Sequence, residues 1–365
     1  PFWKKDFEEG KLTLDDTIEL LQNLFVKMFT INKIRPWSHT QFGMGYTTYQ
    51  NVTIGGQDVE GQDVTNELSY LILKAVGGLK LTTPNLSARF HALAPRSYLK
   101  ECAKVIKLGF GMPAMKNDEI IIPALMDKGA TIEDARNYAI VGCVEAAVPG
   151  KWGYRNTGMT FLNVLKVLEL SLHGGECPST GVCLSKTKMP SECESFEEFY
   201  GEFKKQLQFY TQCHVLMDAA ADYSLEELVP DAFCSALVDD CLSRGKTIKE
   251  GGAVYDVISG LFSGLANVTN SLANIKELVY QRKIIDWEKL LEVLNNNFEG
   301  YERQIVRKML LEEVPKYGND VDEVDRLACR VLGDYLEEIK NYKNTRYGRG
   351  PVGGNYAGST SNISS

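Results

Sequence analysis

A thiol and a carboxylate stand two residues apart in the run AIVGCVEAA (139–147), as Cys143 and Glu145. In an extended segment, residues i and i+2 point to the same side, so both groups could reach one pocket. The flanking residues are small or apolar, which predicts that the pair is buried. The nearest histidine in the sequence is His173, so no base that would activate a thiolate nucleophile is close by. If Cys143 takes part in chemistry, a thiolate nucleophile is therefore not the obvious form, and one pocket could receive a radical-bearing sulfur and a general base together.

The sequence lacks the other common signatures of catalysis. It contains no C-x-x-C, and its nine cysteines are an odd number, which argues against a structural zinc site and a disulfide framework. It has neither a glycine-rich phosphate loop nor a G-x-S-x-G nucleophile elbow. Its four histidines fall at no metal-binding spacing: His39, His91, His173 and His214. Although a C-x-E tripeptide is common by chance, Cys143 and Glu145 remain the candidates for chemistry.

The composition of the 365 residues is that of an ordinary globular protein, with 44% hydrophobic and 24% charged residues. A net charge of -8 argues against nucleic acid as a partner. No apolar run approaches the roughly 20 residues that a membrane span needs. The first residues, PFWKKDFEEG, do not resemble a signal peptide. We therefore expect a cytoplasmic protein without a membrane partner.

Helical and extended patterns alternate in the first half of the chain, which predicts an α/β protein. Strands are expected in NVTIGG and in TTPNLSARFHA (82–92). Helical periodicity predicts helices over these ranges: 13–31, 64–76, 95–109, 131–140 and 160–175. The helix over 131–140 would deliver the chain to Cys143. From about residue 195 onward the pattern is mostly helical, and we expect one compact unit with a helix-rich second half.

Six collinear segments resemble the glycyl radical enzyme superfamily, and together they span nearly the whole chain. Their sequences are PNLSARFH (84–91), GFGMPAMKNDEIIIPAL (109–125), TIEDARNYAIVGCVE (131–145), GLANVTNSLANIKELVY (264–280), NFEGYE (297–302) and PKYGNDVDEVD (315–325). The resemblance implies a ten-stranded α/β barrel, built from two five-stranded halves that run antiparallel and surrounded by helices. It also implies a radical on a glycine backbone, installed by a radical SAM activating enzyme, with no other bound cofactor.

The resemblance implies roles for the thiol and the carboxylate. Cys143 matches the cysteine that becomes a thiyl radical and removes a hydrogen atom from a small-molecule substrate. Glu145 matches the general base of the branch whose motif reads GCVE. Pyruvate formate-lyase instead has two adjacent cysteines, and here Gly142 precedes Cys143, which argues against acyl transfer.

The GCVE branch implies a dehydratase or C–X lyase that acts on a small hydroxylated substrate. Two alternatives remain: a decarboxylase of an arylacetate, and a truncated chain without catalysis. Substrate contacts are implied at less regular positions. These are Tyr49 as a pocket aromatic, Asn156 and Thr157 as partners of a hydroxyl, Arg155 as a partner of a carboxylate or a structural ion pair, and Met159 and Thr360 as lining residues. Related hydroxyproline dehydratases carry a tyrosine where Met159 stands, which argues against that substrate.

The family's glycine motif, of the form RVxG followed by an aromatic residue, is absent from the sequence. We therefore expect residues 1–365 to be the central barrel portion of a longer enzyme, without the N-terminal helical region and the C-terminal glycine radical domain. A split enzyme with the glycine on a second chain is the alternative. Either arrangement predicts that the chain is inactive alone. Relatives of this kind imply a homodimer.

Overall fold

The structure is a computed structural model that describes residues 2–31, 34, 37, 50–142, 144–153, 160–342 and 352–356. For residues 258, 259 and 352–356 it describes the backbone alone. No helix among these residues has both the length and the apolar character needed to cross a lipid bilayer. In the same part of the chain, no three or more His, Cys, Asp or Glu side chains are grouped so that they could hold a metal ion.

The described elements are helices α1–α14 and strands β1–β8. The helices are α1 Phe2–Glu8, α2 Leu14–Phe29, α3 Glu67–Leu79, α4 Arg96–Ile106, α5 Asp118–Asp127, α6 Ile132–Arg136, α7 Val164–Leu172, α8 Phe196–Leu228, α9 Ala232–Ala236, α10 Cys241–Arg244, α11 Leu265–Asn274, α12 Trp287–Asn295, α13 Tyr301–Glu312 and α14 Asp322–Ile339. The strands are β1 Asn51–Gly55, β2 Asn85–Phe90, β3 Ala114–Asn117, β4 Ala139–Val141, β5 Glu145–Ala147, β6 Phe161–Asn163, β7 Ile258–Ser263 and β8 Val352–Tyr356. Short 3-10 turns lie at Pro190–Glu192 and Ile248–Glu250, and a π-helix at Ile275–Gln281 follows α11.

The chain divides into two compact units, whereas the sequence pattern predicts one. The first unit comprises residues 1–157, 230–257 and 357–365, and the second comprises residues 158–229 and 258–356. The chain leaves the first unit and returns to it. Such a division has no local signal in the sequence, because no linker separates the units.

In the first unit, β1, β2 and β3 form a parallel sheet in that order. Alternate residues of β1 and β2 are apolar and pack into a core with α2, α3 and α4. The buried members of this core include Ile54, Leu86, Ala88, Phe25, Leu73, Val76, Tyr98 and Val105. The opposite face of the two strands carries Asn51, Thr53, Asn85, Ser87 and Arg89, which we call the polar ladder. Strand register places Asn51 beside Asn85 and Thr53 beside Ser87, so the ladder lies on one side of the sheet.

A hairpin of β4 and β5 follows α6, although helical periodicity predicts a helix through residue 140. Thr131 caps α6, accepting a hydrogen bond from the Asp134 amide, and the helix ends at Arg136. Beyond that point the backbone groups bond to the polar ladder: the Tyr138 carbonyl accepts from Arg89, and the Ile140 amide donates to Thr53. These tertiary hydrogen bonds replace the ones that a longer helix would make, so the predicted helix was too long.

In the second unit, β6, β7 and β8 form another parallel sheet. The 33-residue helix α8 and helices α7, α11, α12 and α14 enclose a large apolar core. Its fully buried members include Phe203, Leu207, Phe262, Leu272 and Val331. The helix predicted over 160–175 is a short strand, β6, followed by α7, because Asn163 caps α7 by accepting from the amides of Leu165 and Lys166.

The α/β class and the abundance of helices are confirmed. In the part of the chain that the structure describes, the sheets contain three, two and three strands. A ten-stranded barrel is not formed by these sheets.

Candidate active site

The β4–β5 hairpin carries the predicted catalytic pair. Val141 pairs with Glu145, and Gly142 and Val144 lie in the turn between the strands. Gly142 has φ of 61°, in the left-handed region that favours glycine. Glu145 therefore follows a turn at Gly142 and Val144 instead of lying in the continuous extended segment that the i, i+2 argument assumes. Cys143 lies outside the described residues.

The Glu145 side chain folds back against this turn. It is only 4% exposed, and its Oε2 accepts a hydrogen bond from the Val144 amide at 3.0 Å. A Cβ atom at position 142 would lie 3.0 Å from the same oxygen. The absence of a side chain at Gly142 thus leaves room for the carboxylate beside the turn. A backbone N–H stabilises the charged form of a carboxylate, whereas burial removes that form from water.

Two asparagines of the polar ladder form hydrogen bonds to the backbone of the turn. The Asn51 and Asn85 side-chain amides both donate to the Gly142 carbonyl oxygen, at 2.8 and 3.0 Å. Asn51 also donates to Ser87 at 3.2 Å. Since a carbonyl can only accept, both asparagines must present their NH₂ groups to Gly142. The hairpin turn is therefore anchored on the sheet by side chains from two neighbouring strands.

Arg89, at the other end of the ladder, holds the segment that leads into the hairpin. Its guanidinium is bidentate to Asp118, with two N–O distances of 2.9 Å, and donates to the Arg136 and Tyr138 carbonyls at 2.8 and 3.0 Å. The Tyr138 hydroxyl donates to Asp118 at 2.7 Å, and the guanidinium stacks 3.9 Å from the Tyr138 ring centroid. Burial raises the pKa of Tyr138, and the Asp118 charge raises it further, so the hydroxyl remains a donor. Gly56 permits this packing, because a Cβ there would lie 2.5 Å from the Arg89 guanidinium carbon.

Replacing Arg89 by methionine should destabilise the fold by about 3–5 kcal/mol, because Asp118 would stay buried without its cation. Arg89 is 5% exposed and Asp118 is 0% exposed, so solvent cannot compensate. Urea denaturation of the variant and its parent measures the loss. The exposed Arg96→Met is the matched control and should unfold like the parent. An Arg89→Met midpoint equal to that of the control would contradict the expectation.

Comparison with known proteins decides the family. The sequence profile of the pyruvate formate lyase-like family matches residues 1–365. The chain belongs to this family of glycyl radical enzymes. The resemblance seen in the six collinear segments is thereby confirmed.

Several relatives of this glycyl radical chain are known. It is 46% identical to the probable dehydratase YbiW of Escherichia coli K12, covering 100% of this chain and 46% of that protein. It is 35% identical to the trans-4-hydroxy-L-proline dehydratase of Clostridioides difficile, covering 93% of this chain and 43% of the relative. The structure of the B12-independent glycerol dehydratase of Clostridium butyricum, with glycerol bound, superposes with a TM-score of 0.80 at 36% identity, covering 94% of this chain and 43% of that one. The chain therefore spans less than half the length of each of these relatives.

Among the predicted site residues, the structure describes Glu145. The others lie outside the described residues: Tyr49, Cys143, Arg155, Asn156, Thr157, Met159 and Thr360. The contacts proposed for substrate therefore stay predictions. The residues that sequence reasoning missed are those of the polar ladder and Asp118. The alternation of polar and apolar residues in NVTIG and NLSARF carries a signal for the ladder, since it marks one polar and one apolar face.

A second missed cluster lies in the second unit, at the start of β6. The Thr160 hydroxyl donates to Asp218 at 2.8 Å, and its carbonyl lies 3.1 Å from His214 Nε2. Burial lowers the pKa of His214, and the nearby Asp218 carboxylate partly opposes that shift. Thr160 comes directly after the substrate contacts predicted at residues 155–159. Its bonds to Asp218 and His214 of α8 therefore fix the chain at that point.

The eight described cysteines are free thiols, and they differ in reactivity. Burial raises the pKa of Cys102 to about 11, which makes this thiol inert. Hydrogen bonds from the hydroxyls of Ser179 and Thr180 instead lower the pKa of Cys177 to about 6. The Cys177 sulfur lies 3.2 Å from the Ser179 hydroxyl oxygen. The lowered pKa predicts that Cys177 is more reactive than Cys102, a difference that the sequence pattern does not indicate.

Alkylation of Cys177 by iodoacetamide should reach half its maximal rate near pH 6, because a pKa of about 6 makes the thiolate dominant above that pH. An ordinary thiol would reach that point near pH ~8.5. Mass spectrometry of the labelled peptide across a pH series measures the profile. Ser179→Ala should move the half-point upward, and a Cys177 profile that Ser179→Ala leaves in place would contradict the assignment.

Proposed function

We propose that the chain is the catalytic core of a glycyl radical lyase, which eliminates water or another leaving group from a small hydroxylated substrate. The observation that supports it is the Glu145 carboxylate, buried beside the turn that bears Cys143 and bonded to the Val144 amide. Two relatives named dehydratases are 46% and 35% identical to the chain, compared with 29% for an indoleacetate decarboxylase, which favours elimination over decarboxylation.

In this reaction Cys143 transfers a hydrogen atom and Glu145 transfers a proton. A glycyl radical, on a residue outside the printed sequence and installed by a radical SAM activating enzyme, supplies the unpaired electron. The Cys143 sulfur takes a hydrogen atom from the carbon that bears the substrate hydroxyl, so one C–H bond breaks and one S–H bond forms. The hydroxyl of the resulting carbon radical is more acidic, and Glu145 accepts its proton.

The leaving group on the neighbouring carbon then departs with its bonding electron pair. When it is hydroxide, Glu145 returns the proton and water leaves. A carbonyl forms, the unpaired electron moves to the neighbouring carbon, and the Cys143 S–H returns its hydrogen atom. The products are a carbonyl compound, the leaving group and the regenerated sulfur radical, so atoms and electrons balance.

Residues 1–365 contribute the central part of a ten-stranded barrel, whose other strands and radical glycine belong to segments outside the printed sequence. The assembly is a cytoplasmic homodimer that is active only after contact with its activating enzyme. Tyr49, Arg155, Asn156, Thr157, Met159 and Thr360 line the substrate pocket.

The test is anaerobic activation of the full-length protein, followed by assays with 1,2-diols, other β-substituted alcohols and an arylacetate. Electron paramagnetic resonance reports the radical, and product analysis reports the reaction. A carbonyl product from one of the alcohols is expected. Release of carbon dioxide from the arylacetate alone would replace elimination by decarboxylation. A full radical signal without any product would favour a non-catalytic chain.

A further inference from the structure

The polar ladder bonds to alternate residues of the chain that enters the hairpin. Arg89 binds the carbonyls of Arg136 and Tyr138. Thr53 accepts from the Ile140 amide at 3.1 Å. The two asparagines bind the Gly142 carbonyl. The contacts fall at residues 136, 138, 140 and 142, a two-residue repeat that matches the ladder's own period and holds this segment in one register.

We infer that Asn51 and Asn85 are positioning residues for the Cys143 sulfur, an inference that rests on the proposed function. The Gly142 carbonyl belongs to the peptide group that precedes Cys143, and the Val144 amide belongs to the one that follows it. A peptide group is planar and includes both flanking Cα atoms. Two bonds to the Gly142 oxygen and one from the Val144 nitrogen therefore restrain the described backbone immediately before and immediately after position 143.

Anchoring of the turn by the two asparagines suits a reaction whose rate depends on the distance between the sulfur and the substrate C–H bond. Transfer of a hydrogen atom requires the sulfur and the C–H bond to meet closely, and a displacement of about 1 Å can cost on the order of 100-fold in rate. The turn also contains a glycine, which offers little resistance to a change of backbone angles. Without the asparagines, the Gly142 carbonyl would lose both of these hydrogen bonds, whereas the strand pairing and the bond from Val144 to Glu145 would remain.

Both asparagines are themselves held in place. Asn85 is 8% exposed, and its registered neighbour Asn51 donates to Ser87, which is fully buried. The Thr53 hydroxyl lies 3.4 Å from the Asn51 Oδ1, the side on which Asn51 accepts. A carbonyl oxygen has two lone pairs, so both amides can bind the Gly142 oxygen at once. The contribution of each asparagine is therefore separable from that of the other.

The experiment uses the full-length, activated enzyme with Asn51→Asp, Asn85→Asp and the double variant. Aspartate has the same shape as asparagine and lacks the N–H donors. We expect kcat per radical to fall about 10-fold in each single variant and about 100-fold in the double variant, with KM within about 3-fold. The primary deuterium isotope effect on kcat should increase, because hydrogen transfer becomes slower than the other steps. Radical content should remain that of the parent.

Asn66→Asp is the matched control. Asn66 is exposed and caps α3, a role that aspartate fills equally well, so its kcat should equal that of the parent. If Asn85→Asp does not fold, Asn51→Ala removes the Asn51 hydrogen bonds to Gly142 and Ser87 without adding a charge and carries the same expectation. A purely structural role would lower the melting temperature and radical content but leave kcat per radical and the isotope effect unchanged.

The outcomes separate this inference from the proposed function. A double variant that keeps kcat per radical within 2-fold, while Cys143→Ser is inactive, would overturn the positioning role and leave the function standing. Turnover by Cys143→Ser would overturn both. Loss of kcat in Asn66→Asp equal to that in Asn51→Asp would also overturn the positioning role, because the effect would then not depend on the Gly142 contact.

Discussion

Cys143→Ser should lose turnover by roughly 10³-fold or more, because serine cannot carry the hydrogen atom in the way a thiol does. An O–H bond is stronger than an S–H bond, so an alkoxyl radical would not form from a carbon-bound glycyl radical. The neighbouring contacts use backbone groups, the Gly142 carbonyl and the Val144 amide, and serine leaves them unchanged. The variant should therefore fold and accept the glycyl radical like its parent. Product formation and electron paramagnetic resonance on the same sample measure both properties.

The control for Cys143→Ser is Cys177→Ser, which removes the thiol whose pKa is lowered to about 6 and should leave turnover unchanged. Activity of Cys143→Ser above a few per cent of the parent's would remove the sulfur from the mechanism. The same activity in the parent and in both variants would place the chemistry elsewhere in the protein.

Glu145→Gln should lower kcat by about 10²–10⁴-fold, the usual contribution of a general acid or base. Glutamine keeps an oxygen that can accept from the Val144 amide, so the turn should retain its geometry. Hydrogen abstraction by Cys143 does not need the carboxylate, whereas proton removal does. The variant should therefore still exchange hydrogen with a deuterated substrate while product formation almost stops. Mass spectrometry of recovered substrate distinguishes the two steps.

The control for Glu145→Gln is Glu133→Gln, an exposed residue in the first turn of α6. It removes the same charge from the element that precedes the hairpin, and kcat should not change. Full turnover by Glu145→Gln would show that Glu145 is not the base. Loss of both exchange and product would instead show that the substitution also impairs hydrogen abstraction, which the removal of a base alone does not explain.

Much of the secondary structure follows from local patterns. Thr13 and Asn66 form capping boxes at the starts of α2 and α3, and the apolar periodicity that follows predicts both helices. The strand predicted over 82–92 is β2, with bounds two or three residues inside. The errors occur where distant side chains compete with local hydrogen bonds. Residues 137–140 have a helical pattern, yet Arg89 and Thr53 bind their backbone groups and the chain enters β4.

The family and the candidate catalytic pair could be predicted from the sequence, because the six collinear segments and the pair Cys143 and Glu145 are defined by residue type and order. The anchoring of the hairpin could not, since Asn51, Asn85 and Gly142 are up to 91 residues apart and share no local pattern. The contact depends on the parallel register of β1 and β2, which places Asn51 beside Asn85 so that both can donate to the Gly142 carbonyl. Folding alone creates such a contact, because hydrogen bonds between distant segments form only after the sheet has aligned its strands.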